Sequence, residues 1–546
     1  MPDLSLEETA FPKLTPAQLD LVGQLGELRS FADGEDLITV GQKEYPFCVI
    51  RSGEVKIIET STGEPREVVT HPAGAFVGDI DLLTGRPAVI SAVAHGPTEA
   101  YVMSAVELRR LLNEIPEISE ILLDAFQMRR RLLESSGFLG TKVIGDPRSK
   151  ETLMLREFFY RNHVPHTFYD VREPEGAEQL AAAACTTEDL PVLSCSVGVV
   201  KNPPLADVAE CLGISREIDD TLYDLIVVGA GPAGLASAVY ASSEGLRTLV
   251  IDRIGPGGQA GSSSKIENFI GFPSGLSGAE LANLGYLQAL KFGTQFTAPV
   301  SVKKLDCSVD GEHRLHLCTG QVARARCVLA ATGVSYRQLN LEGARRFEGA
   351  GIYYAATSVE ARVCKASTAV VVGGGNSAGQ AAMYLAQHAE RVLLLIRGDD
   401  LRKSMSDYLS QRVLSHEKIE VCKRTEVVEV LGDHGIGAVR VRNNETQKEE
   451  QWDCAALFIF IGARPYTDWL PESVRRDERG FLITGATAQA DELWPLDRAP
   501  CELETTCPGI MAAGDVRSGT TKRCGFAVGD GSLAVSCVHR YLDDLS

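Results

Sequence analysis

The segment Gly229-Ala230-Gly231-Pro232-Ala233-Gly234 follows the apolar run Leu225-Ile226-Val227-Val228, and Gly373-Gly374-Gly375-Asn376-Ser377-Ala378 follows Ala369-Val370-Val371-Val372. Glycines placed directly after a strand let the backbone close on a pyrophosphate. The helix they open turns free N–H groups and positive dipole potential toward it. After the first fingerprint the spacing predicts a helix over 233–244 and a second strand, Thr248-Leu249-Val250-Ile251, ending in Asp252. A carboxylate there suits ribose hydroxyls. After the second fingerprint, Val392-Leu393-Leu394-Leu395-Ile396 ends instead in Arg397. A cation in that place pairs with a 2′-phosphate and offers a 2′-hydroxyl no acceptor, so NADPH is expected over NADH. Arg402 and Lys403 either assist it or form a solvated basic turn. Two dinucleotide sites on one chain imply hydride transfer from a nicotinamide to a flavin.

Between the fingerprints lies Tyr353-Tyr354-Ala355-Ala356-Thr357-Ser358. A redox Cys-x-x-Cys would suit this place, yet none of the 14 cysteines forms one anywhere in the chain. That spacing excludes a sequence-local zinc ribbon and a local dithiol. In a reducing cytosol each cysteine then reads by default as a small buried hydrophobe.

A chain of 546 residues exceeds one ordinary core, and about three to four domains are expected. A net charge of −19 argues against nonspecific binding to nucleic acid or anionic membranes. No apolar run approaches the roughly 20 residues of a membrane span. The start, Met1-Pro2-Asp3-Leu4-Ser5-Leu6-Glu7-Glu8, is acidic and lacks a signal-peptide pattern. A cytoplasmic protein is expected.

Residues 12–100 read as short strands punctuated by glycines, including Phe47-Cys48-Val49-Ile50 and Val55-Lys56-Ile57-Ile58, which suggests a β-barrel or jelly roll. A helix from about 105 to 135 follows, with Leu108, Leu111, Leu112, Ile115, Ile118, Ile121, Leu122 and Phe126 on one stripe. With Ile50-Arg51-Ser52-Gly53-Glu54-Val55 and Phe76-Val77-Gly78-Asp79-Ile80-Asp81-Leu82-Leu83, residues 12–135 resemble the cyclic-nucleotide-binding domain. That family holds the ribose with a Gly-Glu and the cyclic phosphate with an Arg-Ala. Here the acid is Asp79, one methylene shorter, and Arg86 is followed by Pro87. A cyclic nucleotide is therefore expected to bind weakly or not at all. The other reading is a dimerisation or docking module.

Residues 140–218 begin with Lys142-Val143-Ile144-Gly145 as a strand, 150–162 as a helix and His166-Thr167-Phe168-Tyr169-Asp170-Val171 as a strand. Leu190-Pro191-Val192-Leu193 follows later. This order resembles a thioredoxin or glutaredoxin fold, with Pro191 where that family has its cis-proline. The family's active cysteines open the first helix, where this chain has Asp146-Pro147-Arg148-Ser149. The unit is expected to be redox-silent, with Cys185 and Cys195 structural.

From about 220 onward several motifs occur in order. They are the first fingerprint, Gly257-Gly258-Gln259-Ala260, Glu267-Asn268, Ala331-Thr332-Gly333, Phe460-Ile461-Gly462-Ala463-Arg464-Pro465 and Gly509-Ile510-Met511-Ala512-Ala513-Gly514-Asp515. They resemble a low-molecular-weight thioredoxin reductase. The resemblance implies two Rossmann-type α/β domains. An FAD domain at 221–338 and 455–546 would be split in sequence by an NADPH domain at 339–454. It places Gly229, Gly231, Gly234, Asp252, Gln259, Asn268, Thr332, Gly333, Gly514, Asp515 and Arg523 at FAD. It places Gly373, Gly375, Asn376, Ser377 and Arg397 at NADPH. The family's Cys-Ala-Thr-Cys aligns on Ala355-Ala356-Thr357-Ser358, which has neither an attacking nor a resolving thiol. Cys364 and Cys524 are the candidate replacements. Cys524 would open a helix beside Lys522 and Arg523, where a lowered thiol pKa is expected.

These readings point to an NADPH-dependent flavoprotein oxidoreductase that passes electrons to a small-molecule or protein acceptor, with a homodimer expected. Two alternatives stay open: an NADPH or flavin redox sensor, and a thioredoxin-disulfide reductase with relocated cysteines. Repeated turnover separates an enzyme from a sensor.

Overall fold

The computed structural model describes residues 9–545 apart from 60–64, 80, 137–140, 148, 165, 196–197, 216–217, 264–265, 267, 309–310, 338, 340, 342–343, 348–350, 355, 357, 433–434 and 490–493. The N-terminal sheet rests on two long antiparallel strands, Phe47–Glu59 and Ser91–Met103. Glu27–Phe31 and Asp36–Ile38 pair with the second of these, and Arg66–Pro72 and Phe76–Val77 with the first. The runs at 47–50 and 55–58, expected as separate strands, are one strand. It passes Gly53 at φ 85° with shifts in register rather than a turn. A Cβ at Gly53 would lie 2.6 Å from the Pro97 carbonyl oxygen, so this bulge requires glycine.

The single helix expected over 105–135 is two helices, Ala105–Glu114 and Pro116–Ser136. Pro116 has no N–H with which to continue the first helix, and the chain turns at Ile115. Leu108, Leu111, Leu112, Ile118, Leu122 and Phe126 are at most 1% exposed and pack into the core of their own sheet. Those six side chains therefore offer no face to a second copy, while Ile115 and Ile121 are half-buried against the same core. The same core runs on into Leu235, Ala282, Tyr286, Leu287 and Leu290, far along the chain.

The second unit is a sheet in the spatial order Gly198–Lys201, Val192–Cys195, Lys142–Gly145, Thr167–Asp170. Its first two pairings are antiparallel and the last is parallel. The helices Lys150–Arg161, Pro174–Ala182 and Leu205–Cys211 complete the expected thioredoxin-like arrangement. The Leu190–Pro191 bond is cis. Of the expected active-cysteine position, Arg148 lies outside the described residues.

Two further sheets carry the fingerprints. One runs Gln295–Thr297, Thr248–Ile251, Leu222–Val228, Val322–Ala330, His313–Leu317, Val302–Asp306, with Ile510–Ala512 parallel to Val322–Ala330. The other runs Ile352–Tyr353, Ala456–Ile459, Thr368–Val372, Arg391–Ile396, Ile419–Lys423, all parallel. Ala456–Ile459 thus pairs inside the second nucleotide sheet, whereas the family resemblance implied a boundary before it, at 455. The chain crosses back after it, where Val334–Tyr336 pairs with Ala463–Pro465. No helix among the described residues is long and apolar enough to cross a membrane.

The C-terminal helix Cys524–Leu545 lies on the first fingerprint helix, Pro232–Ser243. Ser237 Oγ donates to the Gly531 carbonyl at 2.8 Å. A Cβ at Gly531 would fall 2.2 Å from the Ala233 carbonyl oxygen. Cys501 and Cys537 form a disulfide that ties this helix to the loop before Ile510–Ala512. The default reading of cysteines as isolated hydrophobes does not hold for that pair.

Candidate functional site

Parallel pairing on both sides sets the register of the buried strand Leu222–Val228 and aims its C-terminal end at the turn beyond. Gly229 sits at φ 110°, and a Cβ there would lie 2.4 Å from the Ala331 carbonyl oxygen. Gly231 is the N-cap of the helix, with Pro232 at its first position. At Gly234 a Cβ would lie 1.9 Å from the Gly229 carbonyl oxygen, so helix and strand touch backbone to backbone. At Gly231 the nearest atom to a Cβ would be Gly258 Cα at 3.8 Å. The glycines thus divide the work: two allow close packing, and one leaves an open backbone surface of the kind a pyrophosphate fits.

The fold brings Gly257, Gly258, Thr332 and Gly514 to this turn. Gly257 N–H donates to the Ala230 carbonyl at 2.8 Å, and Gly258 turns at φ 54°. Gln259 Nε2 donates to the Val334 carbonyl at 2.6 Å. Thr332 Oγ1 donates to the Tyr466 carbonyl at 2.8 Å, and Gly333 stands at φ 61°. Gly514, at φ 73°, packs toward Ala233, and its N–H donates to Asp530 Oδ2 at 3.1 Å. Asp530 also takes both arms of Arg517 at 3.0 Å. Burial holds the Asp515 carboxyl above its usual range, with Lys522 opposing. Asn268 and Arg523 are exposed, and neighbouring Glu267 lies outside the described residues. The open face of Gly231 and the helix N-terminus that it caps fit a dinucleotide.

Asp252 is engaged by its own turn. Oδ2 accepts from Ala230 N–H at 2.8 Å, and Oδ1 accepts from Ile254 and Gly255 N–H at 2.9 Å each. These bonds fix the carboxylate and leave one acceptor site, on Oδ2, for a ribose hydroxyl.

At the second fingerprint, Gly373 is at φ 143°, and a Cβ there would lie 2.3 Å from the Phe460 carbonyl oxygen. Gly375 caps the helix Asn376–Leu385. Asn376 Oδ1 accepts from Ser406 N–H at 2.8 Å, and Ser377 is exposed. Arg397 follows the strand Arg391–Ile396 and lines a cleft with Gly398, Asp399, Arg424, Asn444 and Glu445. Lys403 is tied to Asp399 at 2.8 Å, and the Arg402 N–H donates to Asp400. Arg424 is the cation that sequence spacing missed. It follows the neighbouring parallel strand Ile419–Lys423, and its N–H donates to the Gly398 carbonyl at 2.9 Å. Its guanidinium pairs with Glu445. Parallel strands end on one edge, and that rule is the signal that would have found it.

The candidate thiols behave differently from expectation. Ala355 and Thr357 lie outside the described residues, as does the side chain of Ser358, which opens the helix Ser358–Val363. Cys364 is fully buried, and burial pushes its thiol up to about 12. Cys524 does open the C-terminal helix, but burial and then the Asp515 charge push its thiol up to about 11. The expected lowering at Cys524 is not met because desolvation outweighs the helix end and the adjacent cations. Cys195 and Cys211 bring their sulfurs within 4.0 Å in the thioredoxin-like unit.

In the N-terminal unit Arg86, the one arginine near the family's phosphate position, already has partners. Arg86 is 8% exposed, donates from Nη1 to Asp81 Oδ1 at 3.2 Å and from Nη2 to the Asn162 carbonyl at 2.8 Å. Arg130 reaches the same carboxylate at 2.8 Å. Burial opposes ionisation of Asp81, but Arg130 and Arg86 outweigh it and hold the carboxyl below its usual range. Asp79 accepts from Tyr45 Oη at 3.1 Å and from Asp81 N–H at 3.0 Å. A cyclic phosphate would have to break a buried ion pair, which is strongly unfavourable. Calorimetry is expected to detect no cAMP binding at micromolar concentration, and a submicromolar constant would overturn that expectation.

Residues 223–531 match the family described as pyridine nucleotide-disulphide oxidoreductase, and residues 28–114 match the cyclic nucleotide-binding domain. The chain is 33% identical to a thioredoxin reductase of Bacillus subtilis over 329 residues, 60% of this chain and 97% of that relative. It is also 33% identical to one of Treponema pallidum over 327 residues, 60% of this chain and 99% of the relative. Among solved structures it is similar to Lactococcus lactis thioredoxin reductase in the FR conformation. The TM-score is 0.53 and the identity 27%, over 59% of this chain and 99% of that one.

Proposed function

We propose that this chain, which belongs to the pyridine nucleotide-disulphide oxidoreductase family and is an NADPH-dependent FAD flavoprotein of the thioredoxin reductase type, reduces its acceptor without a protein dithiol as intermediary. The observation that carries this reading is Ala355-Ala356-Thr357-Ser358 where that type has two cysteines. When bound, the two cofactors supply hydride transfer and two-electron storage. The chain's part is to bind and orient them: Gly229, Gly231, Gly234 and Asp252 at FAD, and Gly373, Gly375, Asn376, Ser377 and Arg397 at NADPH. A dithiol must present a thiolate to attack and a thiol to resolve. Cys364 is buried with its pKa raised, which suits packing instead. The assembly proposed is a homodimer whose contact does not use the buried side chains Leu108, Leu111, Leu112, Ile118, Leu122 and Phe126.

The acceptor is a small molecule or protein that meets the cofactor at the exposed edge near Asn268. NADPH oxidation should be measured against disulfide, quinone, ferredoxin and oxygen acceptors. The expected result is repeated turnover with at least one of them and negligible reduction of thioredoxin, unchanged by Cys364→Ser or Cys211→Ser. Rapid thioredoxin reduction abolished by either substitution would show that a relocated thiol does the work. Oxidation that stops after one flavin equivalent with every acceptor would favour a sensor.

A further inference from the structure

The turn that holds Asp252 is itself held from outside the flavin unit. Asn162, at the C-terminal end of the helix Lys150–Arg161 in the thioredoxin-like unit, is 3% exposed. Its Nδ2 donates to the Phe158 carbonyl at 2.9 Å and to the Ile254 carbonyl at 2.6 Å. Ile254 N–H in turn donates to Asp252 Oδ1 at 2.9 Å. Gly255, at φ 155°, lies so close that a Cβ would fall 2.6 Å from Asn162 Nδ2. Behind Asn162 stands Arg86 of the N-terminal unit, anchored to Asp81 and donating to the Asn162 carbonyl at 2.8 Å. The polar chain Asp81–Arg86–Asn162–Ile254–Asp252–Ala230 therefore crosses three units and ends on the first fingerprint. A cavity at the junction is lined by Arg86, Asn162, Ala230 and Asp252 together.

We infer that Asn162 and Arg86 are positioning residues for FAD: by bracing the 252–255 turn they set the orientation of Asp252, so the two N-terminal units determine the flavin affinity of the third. Buried hydrogen bonds of this kind act as a unit, because a partner left unpaired cannot be replaced by water. The inference rests on assigning FAD to the first fingerprint. It also gives the arginine of the N-terminal unit a role that does not involve a nucleotide.

The test uses full-length protein stripped of FAD, with dissociation constants for FAD and for NADPH measured separately. Asn162→Asp keeps the shape but turns a donor into an acceptor facing two carbonyls. It is expected to weaken FAD about tenfold or more and to leave NADPH binding within about twofold. Arg86→Lys keeps charge beside Asp81 but lacks the planar fork that serves two partners at once. It is expected to weaken FAD several-fold, and it reads the same chain of bonds through its other link, at the Asn162 carbonyl, if Asn162→Asp fails to fold. The double variant is expected to lose little beyond Asn162→Asp alone, since both act on one chain of bonds. A purely structural role would weaken both cofactors together or neither. FAD affinity within twofold of the parent in a folded Asn162→Asp protein that still carries Asp252-dependent binding would overturn the inference. If Asp252→Ala itself binds FAD like the parent, the assignment on which it rests fails, and the inference fails with it.

Discussion

Gly234→Ala protein is expected to purify colourless, with FAD affinity reduced about 100-fold or more. The new methyl would meet the Gly229 carbonyl oxygen at 1.9 Å, the Gly229 carbonyl carbon at 3.0 Å and Val227 Cγ1 at 3.1 Å. The nearest of these are backbone atoms in a turn that is already fixed, so relief requires the helix Pro232–Ser243 to move off its strand. Overpacking of this kind costs about 1–3 kcal/mol. The larger loss comes from re-aiming the helix N-terminus, because its N–H groups must point at the pyrophosphate. Gly231→Ala separates the two effects. Its methyl has only Gly258 Cα within reach, at 3.8 Å, so the apoprotein should fold normally and still fail to hold FAD. Bound flavin per chain and the thermal transition of the apoproteins measure both. Parent-like flavin content in Gly234→Ala would refute the reading of this turn.

The second large effect is expected at Arg397. Arg397→Ala should lower kcat/KM for NADPH about 10- to 100-fold while leaving NADH nearly unchanged, so that coenzyme preference collapses or reverses. One charge-assisted hydrogen bond contributes about 1.5–3 kcal/mol, and each 1.4 kcal/mol is about a factor of ten. Arg424 lines the same cleft, but its guanidinium is engaged by Glu445, so its removal should cost NADPH less. Removing Glu445 should free Arg424 and recover part of the loss in an Arg397→Ala background. Steady-state rates with both coenzymes check this. An equal fall for NADH and NADPH would mean that Arg397 supports the loop rather than reads the phosphate.

The nucleotide units were legible in the sequence because their signals are local. Strand, glycine turn, helix, second strand and terminal Asp252 or Arg397 follow one another within a short stretch, and each step constrains the next. The β-rich start and the β-α-β order that opens the second unit were readable for the same reason. Pro116 was a local signal as well, and the apolar stripe across it hid the break.

What only the tertiary structure decided involves partners distant in the chain. Cys524 shows this for a pKa: its flanking cations favour the thiolate, yet the surrounding chain buries the thiol and sets Asp515 against it. Ala456–Ile459 joins the second nucleotide sheet because Thr368–Val372 has a free edge there, a pairing no local pattern announces. Cys501 reaches Cys537 across 36 positions. Arg86, the arginine nearest in sequence to the family's phosphate position, is claimed by Asp81 and Asn162, and through Asn162 it reaches the turn at Asp252. Sequence determines which groups a chain can offer and the local geometry that presents them. Packing decides which of those groups meet, and burial then sets the strength of each contact, because an unpaired polar group that water cannot reach is costly.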